Sequence, residues 1–321
     1  MNNQLLKTGL AVGLGLGLAM PTTAISSDNY PERTVEVINQ FGPGGGTDLF
    51  IRAIGIPFSQ ITRQSLVGIS VTGGGGVPAF TEFTSRPADG HNMMAVGPEE
   101  VINHVLGRID ITQLQGVSRV QWDQGLFYAP EGSDFENIEQ VIEYARENPG
   151  ELTIAGTGAA GYDETLVGLW SLRSEAELNY IPFDSAAEAF SAVLGGHTDL
   201  LFEEYGPARS LVEAGEINPL VVFMDDRLPV LPDVPTAQEL GFDVTIGRWR
   251  GLAMHAEDDP DHAEAIYEIL AEAAESDVYK NIEEQNALQF RSVVIGPNEF
   301  QEFLEGEIEI YEEVLGALGH L

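Results

Sequence analysis

The segment FGPGGGTDLF, residues 41–50, is the first stretch of the sequence whose residue types could bind a ligand. Glycines between a strand and a helix let an anion approach the backbone N–H groups at the positive end of the helix. Thr47 and Asp48 stand where that helix should begin, so a turn capped by one of them explains the same letters. No lysine follows the glycines, which excludes a Walker loop. The residues alone leave the anion site and the capped turn open.

Two further glycine motifs follow. GTGAAG, residues 156–161, matches the GxGxxG pattern of dinucleotide-binding turns, and Glu175 and Glu177 lie roughly where a ribose-binding acid would stand. This motif supports the alternative of an exported NAD-binding enzyme. TGGGG, residues 72–76, could contact a ligand, but we interpret it as a turn that lets the chain pack closely.

No pattern in the sequence is typical of catalysis. Cysteine is absent, GxSxG is missing, and the six histidines form neither HExxH nor a paired metal-ligand spacing. The acidic pairs lack the spacing of an EF-hand calcium loop. The sequence therefore predicts a protein without catalytic activity, cofactor or metal site.

The N-terminus predicts export. Residues 1–24 combine one positive charge at Lys7, an apolar run from Leu10 to Met20 and small residues before a polar segment. The run is too short for a transmembrane helix, and without cysteine there is no lipid anchor. We expect cleavage after Ala24 and a soluble, monomeric periplasmic protein with no membrane anchor.

The chain is strongly acidic. The chain has 51 acidic and 15 basic residues, a formal net charge of -36. Phosphate binding needs clustered lysine and arginine, so nucleic acids and anionic membranes are excluded as partners. Molar salt shortens the Debye length to about 3 Å and screens the self-repulsion of such a surface. The composition therefore predicts adaptation to high salt, as in a halophile.

Strand-like and helix-like segments alternate from residue 34 onward, which indicates an α/β fold. A chain of 321 residues usually forms more than one domain. The clearest helical pattern, DFENIEQVIEYARENPG, is predicted to be capped by Asp134, and the acidic C-terminal third reads as two or three helices. The predicted strands are Thr34–Asn39, Leu66–Val71, His91–Val96, Gly125–Ala129, Leu152–Ala155, Asn179–Phe183, Asp199–Phe202, Leu220–Met224 and Arg250–His255.

Two apolar segments could carry the chain between domains. These are GLFYAP near residue 125 and RWRGLAMH near residue 250. Two crossings through extended segments predict two lobes with a cleft between them, where ligands preferentially bind. We expect one lobe to comprise residues 28–124 and 248–321, and the other residues 125–247.

Five segments carry a resemblance to a known family. In order along nearly the whole mature chain, they are INQFGPGGGTDLFIRAI, TGGGGVPAFTEFTSRPADGHNMMAVG, ENPGELTIAGTGAAG, YIPFDSAAEAFSAVLGGHTDLLFEE and VLPDVPTAQELGF. Together they resemble the periplasmic solute receptors of tripartite tricarboxylate transporters, the TctC or Bug family.

The resemblance implies a type II periplasmic-binding-protein fold: two lobes, each a mixed sheet flanked by helices, joined by two crossing strands. Such a receptor captures a small organic carboxylate or an amino acid between its lobes and delivers it to a two-subunit membrane permease. A sensor that presents its ligand to a membrane histidine kinase remains an alternative.

The resemblance also implies the ligand-binding residues. Three of them, Glu99, Asp163 and Glu203, are acids in segments where the family commonly has small hydroxyl residues, serine and histidine, or Asp-Asn. Either these acids point to solvent, or they select a solute that carries an amine or a cation. The implied ligand-binding residues are Phe41, Gly44, Gly45, Gly46, Thr47, Asp48, Gly97, Glu99, Thr157, Gly158, Asp163, Phe183 and Glu203.

Overall fold

The computed structural model describes residues 30–244 and 246–321, so the predicted signal peptide lies outside the described residues. Strands and helices alternate along the described chain, and each predicted strand has a counterpart. The strands are β1 (Val35–Asn39), β2 (Leu66–Ser70), β3 (Asn92–Val96), β4 (Leu114–Asp123), β5 (Gly125–Pro130), β6 (Thr153–Thr157), β7 (Asn179–Phe183), β8 (Leu200–Glu204), β9 (Ile217–Val222) and β10 (Arg248–His255). The helices are α1 (Gly46–Thr62), α2 (Val77–Thr84), α3 (Pro98–Val105), α4 (Ile138–Glu147), α5 (Tyr162–Ser174), α6 (Ala186–Leu194), α7 (Tyr205–Ala214), α8 (Pro260–Ala274), α9 (Asp277–Asn286) and α10 (Pro297–Ala317).

The strands form two five-stranded mixed sheets with the same layout. The first sheet has the order β2-β1-β3-β10-β4, and the second has the order β7-β6-β8-β5-β9. In each sheet three neighbouring strands run parallel, and the fourth, β10 or β5, is antiparallel to both of its neighbours. The predicted fold class, two mixed sheets flanked by helices, is confirmed.

Burial on both faces explains the apolar sequences of the central strands. β3 and β8 are buried along their whole length. Strands covered by helices on both sides read as nearly continuous apolar runs. β8 is an exception at its carboxyl end, where Glu203 and Glu204 enter the interior with the strand. These two acids are therefore fixed in place by the sheet itself.

The longest strand, β4, is absent from the nine predicted strands. Its sequence, LQGVSRVQWD, has too many polar residues to read as a buried strand. Ser118, Arg119 and Gln121 are nevertheless buried, because α8 and α10 pack on this strand. The guanidinium group of Arg119 lies 4.7 Å from the ring centroid of Trp122 and 4.5 Å from that of Phe303. Aromatic faces cover the polar side chain, which only the tertiary packing supplies.

The predicted cap of α4 is wrong by three residues. The side chain of Asn137, not Asp134, accepts a hydrogen bond from the N–H of Gln140 at 3.0 Å. Asparagine and aspartate cap helices about equally well. The buried positions of the helix, from Ile138 to Ala145, decide where it begins.

The chain passes between the sheets at two places. Gln124, which is fully buried, separates β4 of the first sheet from β5 of the second. Residues 223–247 lead back from β9 to β10. Gly125 pairs with Glu204 at the end of β8, and Gly251 pairs with Val96 at the end of β3. Both crossings therefore lie at the edge where the parallel strands end.

Candidate functional site

The loops at the carboxyl ends of the parallel strands bring the predicted binding segments together. Residues 40–45 follow β1, Gly97 follows β3, and residues 158–161 follow β6. β10 runs in the opposite direction, so Arg248 and Arg250 at its start lie at the same edge. Open α/β sheets characteristically bind ligands at this edge.

A cavity of about 290 Å³ lies between the loops of the two sheets. Segments that follow strands of both sheets form its wall, so a bound molecule would touch both sides of the cleft. This volume suits a small solute rather than a dinucleotide. The lining residues are Gln40, Phe41, Gly73, Gly74, Gly75, Gly76, Glu99, Arg108, Thr157, Gly158, Ala159, Gly161 and Asp184.

Two arginines and five carboxylates form a group beside the cavity that we term the buried charge cluster. Each of these seven residues is at most 6% exposed to solvent. Buried charges are costly unless they are paired and hydrogen-bonded. The members are Glu99, Asp123, Asp163, Glu203, Glu204, Arg248 and Arg250.

Arg248 connects acids that come from both sheets. Its Nε lies 2.9 Å from Oε1 of Glu204, and its Nη1 forms an ion pair with Oε1 of Glu99. The guanidinium carbon also lies 5.1 Å from the ring centroid of Phe41 and 5.0 Å from that of Tyr162. Aromatic faces stabilise a cation at such distances. Arg248 therefore holds the two sides of the cleft together by charge and by ring contact.

Arg250 occupies the space in front of the first glycine turn. Its Nη1 lies 3.1 Å from Oδ2 of Asp123, and its Nη2 lies 3.2 Å from Oε2 of Glu204. Its Nε donates a hydrogen bond to Oγ1 of Thr47 at 3.3 Å. A Cβ on Gly46 would come within 2.0 Å of Nη2. The glycine at position 46 is thus required by the chain's own arginine.

The carboxyl groups of the cluster differ in pKa. Burial alone would raise the pKa of Glu204, but the two guanidinium groups outweigh burial and hold this pKa at about 2. Burial, with the charge on Glu204, raises the pKa of Glu203 well above its ordinary value. Burial raises the pKa of Asp163 and of Asp123 to about 7 in each case. Glu204 is therefore the carboxylate held most firmly in its ionised form.

The turns before α1, α3 and α5 donate their N–H groups to carboxylates of this chain. An N–H group at the start of a helix is a natural donor to an oxygen acceptor, and here the acceptor is a carboxyl oxygen of the chain itself. Three distances define this pattern: 2.9 Å from Gly44 N to Asp48 Oδ2, 2.7 Å from Gly97 N to Glu100 Oε2 and 2.8 Å from Thr157 N to Asp163 Oδ2. At the first turn neither Thr47 nor Asp48 is the N-cap, which is Gly45.

Most of the sequence-predicted site residues lie in this region. Four of them line the 290 Å³ cavity: Phe41, Glu99, Thr157 and Gly158. Five line a space of about 20 Å³ beside Arg248, which also includes Phe41 and Thr157: Gly45, Gly46, Thr47, Asp163 and Glu203. Gly97 lines a space of about 10 Å³ next to Trp249.

Three predicted residues line none of these spaces. Asp48 accepts the N–H of Gly44 and forms an ion pair with Arg52 at 2.9 Å. Phe183 packs against the core of the second sheet, and its carbonyl oxygen accepts the N–H of Gly158 at 2.9 Å. Gly44, Asp48 and Phe183 therefore lie outside these three spaces.

Two expectations about the cleft need correction. Glu99, Asp163 and Glu203 do not point to solvent, because arginines in the interior and neighbouring N–H groups hold them there. The TGGGG turn, interpreted from the sequence as a packing device, forms part of the cavity wall. Residues 73–76 all have positive φ, which glycine adopts without strain.

The residues predicted from the sequence did not include the arginines of the site. Arg248 and Arg250 are two residues apart on a strand, so their side chains lie on one face. In a chain with only 15 basic residues, two arginines within one apolar strand are a signal that could have been used. Gln40, Arg108 and Asp184 carried no such signal.

The GTGAAG turn lies between a strand and a helix, as predicted, but two of its backbone N–H groups donate hydrogen bonds to acidic side chains of the chain itself. The N–H of Thr157 is bound to Asp163, and the N–H of Ala160 is bound to Glu164. A dinucleotide pyrophosphate needs such N–H groups at the start of the helix. The turn therefore has fewer N–H donors available for a pyrophosphate than its GxGxxG sequence indicates.

Comparison with known proteins identifies the family. The profile of the tripartite tricarboxylate transporter family receptor, TctC, matches residues 52–298. The chain belongs to the TctC family. BugT of Bordetella pertussis is 25% identical over 316 residues, which cover 96% of each chain. A UPF0065 protein of Pseudomonas sp. strain P51 is 28% identical over 249 residues, which cover 74% of each chain.

Solved structures share the fold of this TctC-family chain. R. palustris Rpa4515, described with adipate, has a TM-score of 0.83 at 23% identity and covers 90% of this chain and 98% of its own. MatC from Rhodopseudomonas palustris, described with bound malate, has a TM-score of 0.81 at 20% identity, and the match covers 89% of this chain and 100% of MatC. No helix within the described residues is long and apolar enough to cross a membrane.

Proposed function

We propose that this chain is an exported receptor that captures a small organic carboxylate in the 290 Å³ cavity and delivers it to a two-subunit membrane permease of the tripartite tricarboxylate type. The observation that carries the proposal is the position of the cavity between loops of the two sheets. A solute that contacts both walls favours the closed arrangement of the lobes by its differential affinity for that state. A permease can recognise that arrangement.

The lobes follow the two sheets. We assign residues 28–124 and 248–321 to one lobe and residues 125–247 to the other. The sheet order supports this division, because β10 lies in the first sheet and β5 to β9 lie in the second. The ligand-binding residues in this proposal are those that line the cavity, with Phe41, Glu99, Thr157 and Gly158 among them.

Proteins of the same fold support the solute class. Two proteins of this fold are described with adipate and with malate, both small dicarboxylates. The receptor family implies binding and transport rather than catalysis. The acidic surface, with a formal net charge of -36, fits a protein that works in high salt outside the cytoplasm.

Thermal unfolding of the mature protein in molar salt tests the solute class. The panel contains mono-, di- and tricarboxylates, with amino acids and NAD as competing classes. A ligand at 100 times its dissociation constant stabilises a one-site protein by about 2.7 kcal/mol. We expect this stabilisation from a carboxylate. A panel in which only amines or NAD stabilise the protein contradicts the proposal.

Uptake of the labelled solute tests delivery. Cells that lack the gene for this chain should lose uptake and regain it with the wild-type gene. Uptake that persists without the permease genes argues against delivery to that permease.

A further inference from the structure

Arg108 differs from the other arginines of the cleft in having no acidic partner among the described residues. It lies in the turn after α3, is exposed, and is the only cation among the described residues that line the 290 Å³ cavity. None of the ion pairs among the described residues includes it. In a chain with 51 acidic residues, a cleft-lining arginine without an acid is free to pair with an anion that enters.

A buried amide holds Arg108 towards the cavity. Asn103 is 3% exposed, and its Oδ1 accepts a hydrogen bond from Nη1 of Arg108 at 3.3 Å. Its Nδ2 donates to the carbonyl oxygen of Gly75 at 2.7 Å. The backbone N–H of Arg108 donates to the carbonyl oxygen of Asn103 at 2.8 Å. Asn103 thus ties the arginine and the glycine turn into one unit.

The glycine turn leaves room in front of this arginine. A Cβ on Gly75 would lie 4.0 Å from Nη1 of Arg108 and 3.4 Å from the carbonyl oxygen of Ala159 on the opposite wall. Even one methyl group on Gly75 would therefore be in van der Waals contact with both groups, so the glycines at residues 73–76 keep this part of the cavity free of side chains. A planar guanidinium facing such a space suits a carboxylate, which it can bind through two parallel hydrogen bonds.

The other arginines of the cleft, and one N–H group at each of three helix starts, already bind acidic residues of this chain. Arg248 and Arg250 pair with acids in the interior, and the spaces beside them measure about 20 Å³ or less. The turns before α1, α3 and α5 donate N–H groups to internal carboxylates. An entering carboxylate therefore finds its available charge partner at Arg108.

Resting on the proposed function, we propose that Arg108 is the specificity-determining residue of this receptor and pairs directly with a carboxylate of the solute, with Asn103 as the residue that positions it. The carboxylate sits against the TGGGG turn rather than at the FGPGGG turn. The two glycine turns thus divide their tasks: residues 42–46 accommodate the chain's own arginine, and residues 73–76 accommodate the solute.

Binding of a carboxylate panel to three proteins tests this inference. Wild type, Arg108→Gln and Arg173→Gln are titrated by calorimetry with malate, adipate, citrate and acetate in molar salt. Arg173 is a matched control, because it is exposed, lies near the far end of α5 and loses the same charge. We expect Arg108→Gln to weaken binding about tenfold or more, as for a lost charge-assisted hydrogen bond, and Arg173→Gln to leave it unchanged.

The outcomes separate this inference from the proposed function. Equal affinity of wild type and Arg108→Gln for a bound carboxylate overturns the role of Arg108 and leaves the receptor for carboxylates intact. Wild type that binds no carboxylate in the panel overturns both. A loss in Arg108→Gln that Arg173→Gln shares reports a general charge effect and overturns the direct pairing.

A double-mutant cycle tests the positioning role of Asn103. We expect Asn103→Ala to weaken binding less in Arg108→Gln than in the wild-type background, because the part of its effect that passes through the arginine is already lost there and only its contact with Gly75 remains. A merely structural role of Asn103 predicts additive losses, and additive losses overturn the positioning role.

Discussion

The buried charge cluster and the solute cavity lie side by side at the same edge of the sheets, but they differ in whether their arginines have acidic partners. In the cluster, Arg248 and Arg250 are surrounded by acids of this chain, and the adjacent space holds about 20 Å³. In the cavity, Arg108 has no acidic partner among the described residues, and about 290 Å³ is open. A region whose charges pair with one another fixes the structure of the cleft, whereas a region whose arginine has no acidic partner among the described residues is suited to a solute.

The comparison also explains the many acids near a site proposed for carboxylates. Glu99 and Glu204 do not repel a solute directly, because Arg248 lies between them and pairs with both. Buried ion pairs of this kind contribute little net stability but are costly to break from one side. The cluster therefore fixes the geometry of the cleft walls more than it adds to their stability.

The largest expected effect is that of Arg248→Met. Removal of the guanidinium leaves Glu99 buried without its cation and Glu204 with Arg250 alone, which costs about 3–5 kcal/mol in unfolding free energy. Denaturant unfolding in molar salt measures the loss, with Arg173→Met as the control for an exposed arginine. A loss below about 1 kcal/mol, the range of a surface pair, would show that the cluster does not depend on this arginine.

A pH titration of stability is expected to show the next largest effect. Burial raises the pKa of Glu100 to about 8, from an ordinary value of 4.5. The folded protein keeps this proton while the unfolded chain releases it, so the contribution to stability is complete below pH 4.5 and is lost as the pH rises to about 8. At about 1.36 kcal/mol per unit of pKa, the difference between 4.5 and about 8 corresponds to at most about 5 kcal/mol, and relaxation around the buried group reduces the expected loss to about 2–4 kcal/mol.

Glu100→Gln sharpens this titration. The variant has no proton to release at position 100, so we expect its unfolding free energy to fall less between pH 4.5 and 8 than that of wild type. Gln40, which donates to Oε1 of Glu100 at 2.7 Å, can keep its contact with an amide. Parallel pH profiles of the two proteins would show that another buried acid, such as Asp163, dominates the pH dependence.

A smaller effect separates the two tasks of the glycine turns. Gly46→Ala places a Cβ within 2.0 Å of Nη2 of Arg250, and we expect a loss of about 1–3 kcal/mol in unfolding free energy. Gly45→Ala is the matched control, since its Cβ would meet only the carbonyl oxygen of Gly42 at 3.8 Å. Equal stabilities of the two variants would contradict the view that position 46 is glycine because of the arginine.

The sequence predicted the alternation of strands and helices, and with it the α/β fold class. A strand that is buried on both faces has a nearly continuous apolar sequence, which can be recognised without the structure. The sequence did not predict β4, whose polar residues are buried only because α8 and α10 cover them. The cap of α4 was placed at Asp134 instead of Asn137, since both residue types can cap a helix and only the buried face of α4 decides between them. Local pattern was sufficient where burial follows from the segment alone.

The candidate site divides in the same manner. The sequence by itself indicated that the turns at residues 41–46 and 156–161 come to the cleft, because turns between strands and helices meet where parallel strands end. It did not indicate that the TGGGG turn forms part of the cavity wall. Only the tertiary structure decided what each turn does. Arg248 and Arg250 come from a strand about 200 residues away from the first glycine turn, and they pair with acids of both sheets. Pairing of charges across the chain depends on three-dimensional distance, which letters and spacing do not contain, and it left Arg108 as the arginine available to a solute.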